Sequence, residues 1–272
     1  MAFERPTVGV WTDVINLKTQ EQLDQMAAAG HVHAGAIELA AEVASPGATT
    51  QEVDAAVEAF IREQGGIPTF KGFRGFPGSI CISNNSMVVH GIPGPEVLEV
   101  GDVLCIDIGV TLGGWVADGA ITMPVGGESS ADADELMRAT KRSLFDAVEQ
   151  CRPGRHLGDV GHAVETCVKS AGFSVIRELI GHGVGRQMHE EPQVPNYGAP
   201  GTGVELKAGM VLAIEPMVNA GGPEIVVGDD NWSVYAADGS LASHFEFTVA
   251  VTDDEPRILT PWHERIELWP PD

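Results

Sequence analysis

The chain has 272 residues, of which 43% are hydrophobic, with a mean hydropathy of +0.03: enough apolar material for a packed core and too much for intrinsic disorder. Charge is the outlying quantity, with 16 Lys and Arg against 39 Asp and Glu and a formal net of −23. Five lysines in the whole length cannot form the basic stripe that displaces phosphate counterions, which excludes direct nucleic-acid binding.

In chain order, residues 1–16 show neither a basic start nor an apolar core of signal-peptide length, which predicts a cytoplasmic protein. No apolar run approaches the roughly 18 residues needed to cross a bilayer. Lys18 to Val43 is Ala-rich with helical spacing and is stopped by Pro46-Gly47; Thr50 is placed to cap the next helix, which runs to about Glu63 before Gly65-Gly66. Val103–Thr111 reads as a strand. Asp132 to Cys151 and Leu157 to Ala171 repeat the helical plan, and Met210–Ile214 and His244–Val251 read as further strands. Cys81, Cys105, Cys151 and Cys167 are widely spaced and read as reduced, packed thiols.

The two halves echo each other. Leu98–Asp107 (LEVGDVLCID) and Leu206–Glu215 (LKAGMVLAIE) share one pattern 108 residues apart, and Pro46-Gly47 with Val53, Ala56, Val57 and Glu58 recurs from Pro153-Gly154 at an offset of 107. This predicts one α+β domain of two pseudo-symmetric halves, each placing a carboxylate at a matching strand end, with ligands meeting at the join.

Asp107 follows the apolar run Val103-Leu104-Cys105-Ile106, and Asp118 returns beside it if Gly113-Gly114 turns a hairpin. Glu215 follows Val211-Leu212-Ala213-Ile214 and precedes Pro216, while Glu246 lies inside Phe245-Glu246-Phe247-Thr248-Val249. Singly, such acids also fit salt-bridged core or turn positions. Together, desolvating four carboxylates with no Lys or Arg nearby in sequence costs several kcal/mol each unless another counter-charge is supplied, and two divalent cations would supply it. Three histidines have unusual settings that also fit turn histidines: His90 before Gly91-Ile92-Pro93-Gly94, His182 in Gly181-His182-Gly183-Val184-Gly185, where glycines permit close approach and an exposed imidazole, and His189 before Glu190-Glu191-Pro192. One nitrogen with four carboxylates makes a hard dinuclear site suited to Mn, Fe(II), Co or Zn.

Asp107, Asp118, His182, Glu215 and Glu246, in that order and spacing, resemble the five metal ligands of type I methionine aminopeptidases. The local strings are similar too: Ser79–Asn85, His90–Gly94, Gly181–Gly185, His189–Val194 and Ile214–Asn219. The likeness spans roughly residues 15 to 260, and the short stretch between His189 and Glu215 has no room for the helical insertion of type II enzymes. It implies a pita-bread fold, with helices outside a curved, mainly antiparallel sheet. The resulting division is a short N-terminal extension at 1–15, a single catalytic domain at 16–260 and a tail at 261–272.

The resemblance implies two divalent ions, Asp107 chelating one, His182 and Glu215 the other, and Asp118 and Glu246 bridging. A metal-bound hydroxide would attack the first peptide bond of a substrate that begins with methionine and has a small second residue. His189 would polarise the carbonyl, His90 would contact the amide on the leaving side, and Glu215 would take the water proton. Phe73, Phe76, Cys81, Met188 and Trp232 map onto the family's thioether pocket; ordinary core packing is the other reading of these five. Phe70 and Arg74 stand where many bacterial relatives have Cys and His. His244 stands where Gln is common, and three roles stay open for it: hydrogen-bond donor to a carboxylate, adventitious ligand at a third metal site, or solvent-facing side chain. Family members work on nascent chains at the ribosome, but residues 220–243 carry Glu224, Asp229, Asp230 and Asp238 and no Lys or Arg, so weak ribosome docking is expected, as is a monomer. The rivals are a Xaa-Pro aminopeptidase or dipeptidase of the same fold, and a non-catalytic binding protein on it.

Overall fold

The sequence repeat is built into the backbone hydrogen bonds of the computed structural model, which describes residues 14–266. Thr49 bridges to Val97, and His156 bridges to Glu205. Gly47 N donates to Leu98 O (2.9 Å), as Gly154 N does to Leu206 O (3.0 Å). Leu98 N returns a bond to Ala48 O, and Leu206 N to Arg155 O. Each pair of equivalent positions is offset by 107 or 108 residues, so both halves launch their second helix from the same chain crossing. Residues 1–13 of the expected extension and 267–272 of the expected tail lie outside the described residues.

Helix α1 (Gln20–Val43) starts at a reciprocal cap in which Thr19 accepts from Gln22 N and the Gln22 side chain accepts from Thr19 N. Helix α2 (Thr50–Glu63) is capped by Thr49 with Glu52, not by Thr50. The Thr50 hydroxyl is taken instead by Gly94, donating to its carbonyl (3.0 Å) and accepting from its N–H (2.8 Å). Helices α3 (Ala131–Val148) and α4 (Leu157–Ser170) repeat the pair in the second half. The buried face of α1 is built of small residues, among them Ala29, Ala34, Ala36 and Ala40, which lets it lie close to its neighbours. At Gly30 the approach is closest: a Cβ there would stand 1.7 Å from the Leu259 carbonyl oxygen.

Inside the helices, Val103–Leu112 and Trp115–Pro124 form the expected hairpin, turned by Gly113 and Gly114 at φ 59 and 77. Cys81–Asn84 pairs with the other edge of Val103–Leu112. The second half holds a five-stranded sheet in the order Arg257–Ile258, Phe247–Ala250, Val211–Ile214, Gly181–Gly183 and Glu190–Val194. Only loop joins Glu190–Val194 to Val211–Ile214. The halves are stitched where Met87–Val89 pairs with Val234–Ala236, and where Ala120 bridges Glu246.

Two expectations change. The single strand expected over His244–Val251 is broken: Ala242–His244 pairs with Met217–Asn219, Phe247–Ala250 pairs with Val211–Ile214, and Glu246 lies between. Glu246 leaves the ladder because its backbone bonds across the join, accepting from Ala120 N (3.3 Å) and donating to Ala120 O (2.9 Å). Residues 261–266, expected as the start of a tail, pack on the core. Trp262 is fully buried, stacks on Phe247 with centroids 4.5 Å apart, and donates from Nε1 to Glu246 O (2.8 Å). Burying an indole of this size stabilises by about 2–3 kcal/mol, which offsets part of the cost of ordering those residues.

Two glycines give a graded test of this packing. Gly30→Ala should lose about 3 kcal/mol or more in denaturant unfolding, because backbone must move. Gly47→Ala, at φ 93 with open space around it, should lose only about 1–2 kcal/mol.

Candidate active site

The hairpin register sets the first two acids. Asp107 faces Ala120 and Gly109 faces Asp118, so the two carboxylates sit diagonally on one face. Gly119, next in the chain after Asp118, turns to the opposite face, toward His33, whose Nε2 donates to Gly119 O (3.0 Å); a Cβ on Gly119 would stand 2.8 Å from that ring. The backbone of Asp118 is held across the join by Thr248, which accepts from Asp118 N (3.0 Å) and donates to Asp118 O (2.8 Å).

The second half brings the other ligand types. Phe247 pairs with Ile214, so Glu246 and Glu215 lie opposite one another just past the end of that ladder. Asn196 Nδ2 donates to Glu215 O (2.9 Å). His182 pairs with Ala213 in the neighbouring strand. Its imidazole is buried, contrary to the open setting expected from the flanking glycines. Those glycines serve closeness: a Cβ on Gly181 would stand 2.3 Å from Ala213 O, and one on Gly183 2.3 Å from Glu191 O. His182 Nδ1 donates to Gly183 O (2.9 Å), which leaves the Nε2 lone pair aimed at Glu215 Oε1 (3.5 Å) and Asp118 Oδ2 (3.7 Å).

The electrostatics of this cluster are those of a cation site. Burial pushes the Asp107 carboxyl up to about 7. Burial, then the charges of the other acids, pushes Asp118, Glu215 and Glu246 well above the carboxylate range. Burial pushes the His182 imidazole down to about 4. Among the described residues no Lys or Arg pairs with any of the four acids, and Asp107 Oδ1, Asp118 Oδ1 and Glu246 Oε1 are buried without a hydrogen-bond partner. Donor atoms of Asp118, His182 and Glu246 lie within 4.8 Å of one another, as do those of Glu215, His244 and Glu246. Asp107 stands outside both groupings, close enough for its charge to act on the other three acids. Orphaned anionic oxygens facing a neutral nitrogen fit divalent metal ions and little else.

Beside the acids lies an apolar cluster. Cys81 is directly opposite Asp107 in the register, and it packs in one cluster with Phe70, Phe76 and Met188, against which Phe73 and Trp232 rest. Trp232 comes from the second half on a turn fixed by Asp230 Oδ1, which accepts from Trp232 N and Ser233 N (both 2.8 Å). Its ring meets Phe76 edge-on at 5.1 Å. His189 lies between the apolar cluster and the acid site, its ring 5.5 Å from Phe73 and 4.3 Å from His182. Burial, then the neighbouring His182, depresses the His189 pKa far below its usual value, so the ring is neutral at physiological pH. His90 is solvent-exposed at φ 61, near enough for its charge to act on both His189 and His244.

A clamp beneath His189 went unread in the sequence. Glu190 Oε1 accepts from Arg186 N (2.8 Å) and Gln187 N (3.3 Å), and Oε2 pairs with Lys18 Nζ (2.8 Å) in a buried ion pair. A carboxylate between two polar runs carries no local sign of a partner 172 residues away.

The sequence profile of metallopeptidase family M24 matches residues 24–253. The chain is 47% identical over 247 residues to methionine aminopeptidase 1 of Bacillus subtilis, covering 91% of this chain and 99% of the relative. The crystal structure of methionine aminopeptidase from Thermotoga maritima superposes with a TM-score of 0.89 at 42% identity, over 91% of this chain and 99% of that one. A prolidase from Pyrococcus furiosus superposes at 0.70 and 24% identity over 90% of this chain and 65% of that one, a likeness of fold alone. The chain belongs to metallopeptidase family M24, among its type I methionine aminopeptidases.

Proposed function

We propose that this chain removes the N-terminal methionine from proteins and peptides whose second residue is small. The observation that carries this reading is the register of Cys81 against Asp107, which sets a soft apolar cluster, the proposed methionine pocket, directly beside a buried acid cluster. A thioether fits such a pocket because sulfur is polarizable and its chain unbranched. Asp107, Asp118, His182, Glu215 and Glu246 would hold two divalent cations (Mn, Fe(II), Co or Zn), since four carboxylates balance two such charges. Bound there, the ions would supply Lewis acidity and an acidified water.

The remaining roles fall to the chain's own groups. The pocket takes the methionine side chain and fixes the scissile carbonyl near His189. A neutral His189 donates its N–H to that carbonyl oxygen and holds the negative charge that develops on it. The Glu215 carboxylate takes the proton from the attacking water. His90, at the open side of the cleft, meets the amide that leaves. The catalytic domain is residues 16–260 extended by the packed segment to 266. No helix among the described residues is long and apolar enough to cross a membrane; the cytoplasmic location is the reading of the sequence. The chain acts as a monomer. Its 220–243 segment offers ribosomal phosphate no attraction, which favours substrates met after release or through another surface.

Asp107→Asn and Glu246→Gln should each abolish turnover with loss of metal measured by elemental analysis. His189→Ala should keep its metal and lose about 10²-fold in kcat; loss of metal there would defeat the division of roles. With Mn, Co or Fe(II) supplied, Met-Ala-Ser should be cleaved and Ala-Pro peptides should not. The reverse preference would point to the Xaa-Pro rival, and no hydrolysis of either to the binding protein. In sedimentation with empty ribosomes the protein should stay largely in the supernatant, whereas tight, salt-sensitive pelleting would overturn the weak-docking reading.

A further inference from the structure

His244 has no part in the roles above, yet its ring is spent on the acid cluster. The residue is 1% exposed. Thr122 fixes its backbone, accepting from His244 N (2.9 Å) and donating to His244 O (2.7 Å). The ring's Nδ1 lies 3.7 Å from Cys105 Sγ. The Cys105 thiol proton has an acceptor of its own in the His244 carbonyl (3.9 Å), so Nδ1 can carry the ring proton and direct it at sulfur. That leaves the lone pair on Nε2, which is buried, has no hydrogen-bond partner, and faces Glu246 Oε2 at 3.7 Å.

A separation of 3.7 Å is too long for a hydrogen bond. It is close to the spacing of two ligands on one ion: donors about 2.1 Å from a tetrahedral cation lie about 3.4 Å apart. His182 shows the same arrangement, with Nδ1 committed to Gly183 O and Nε2 at 3.5 and 3.7 Å from two carboxylates. The donor atoms of Glu215, His244 and Glu246 also lie within 4.8 Å of one another.

We infer that His244 is a sixth protein ligand, its Nε2 coordinating a divalent cation at the Glu215–Glu246 end of the cluster. This rests on the metal-centre reading above. It makes the centre two imidazoles and four carboxylates, with one nitrogen reaching it from the Gly181–Gly183 strand and one from the Ala242–His244 strand. A second nitrogen donor shifts the site away from oxygen-preferring Mn and toward Co and Zn.

The test is metal binding by the full-length, metal-free protein. In calorimetric titration with Co(II), His244→Gln should weaken one binding step about tenfold or more, and it should change the visible absorption of the bound cobalt. Circular dichroism checks that the variant is folded. A second measurement is independent of that variant: spin-echo modulation of bound Mn(II) should show coupling to imidazole nitrogen in His182→Gln, where His244 is the remaining donor. Wild-type affinity and cobalt spectrum in folded His244→Gln, or Mn(II) bound by His182→Gln with no imidazole coupling, would overturn the assignment and leave the five-ligand reading intact. Failure of the unaltered protein to bind Co(II) or Mn(II) at all would defeat the metal centre itself.

Discussion

Four carboxylates packed into apolar strands repel one another and gain nothing from burial, and the architecture around them compensates for that without help from Lys or Arg. Three of the four are held through the backbone. Asp118 is fixed through its backbone by Thr248, Glu215 through its carbonyl by Asn196, and Glu246 through its backbone by Ala120 and Trp262. The anionic oxygens are left free to face one another. The folded chain therefore meets the desolvation cost in advance, and cations recover it on binding.

The same constraint accounts for where the halves touch. Glu246 must leave its ladder to reach the acids from the first half, and the bridge to Ala120 and the indole of Trp262 together replace the hydrogen bonds it forgoes. The apolar cluster is likewise a joint construction, with Cys81 and Phe76 from one half and Trp232 packed on them from the other. The proposed specificity for a thioether and the affinity for cations thus depend on one interface, and a shift of that interface would disturb both.

Much of this was legible because the cost of a buried charge shows in its immediate neighbours: Asp107, Glu215 and Glu246 each stand among apolar residues that would exclude an unpaired acid. The duplication was legible as two patterns at nearly one offset. What escaped depended on distant contacts. Thr49 and Thr50 are equivalent caps until Gly94 claims the second hydroxyl. Lys18 and Glu190 find each other only in the fold, and a strand pattern gives no reason to break at Glu246. The glycines beside His182 were read as openness, when two carbonyl oxygens pressed against them make them a condition of burial. For His244 the strand alternation allowed several settings, and its burial against Cys105 and Thr122 removes the solvent-facing one.

The matched crossings at Thr49 and His156 have a consequence for history. Each half contributes two of the four acids, so a half-length ancestor would have carried a pair of carboxylates too few to hold two cations, and would have completed its centre only by meeting a second copy. Joining the copies in one chain turns that encounter into an intramolecular one at high effective concentration. Metal retention then no longer depends on how much protein the cell makes, and the two halves are free to differ, with aspartates in the first and glutamates and histidine in the second.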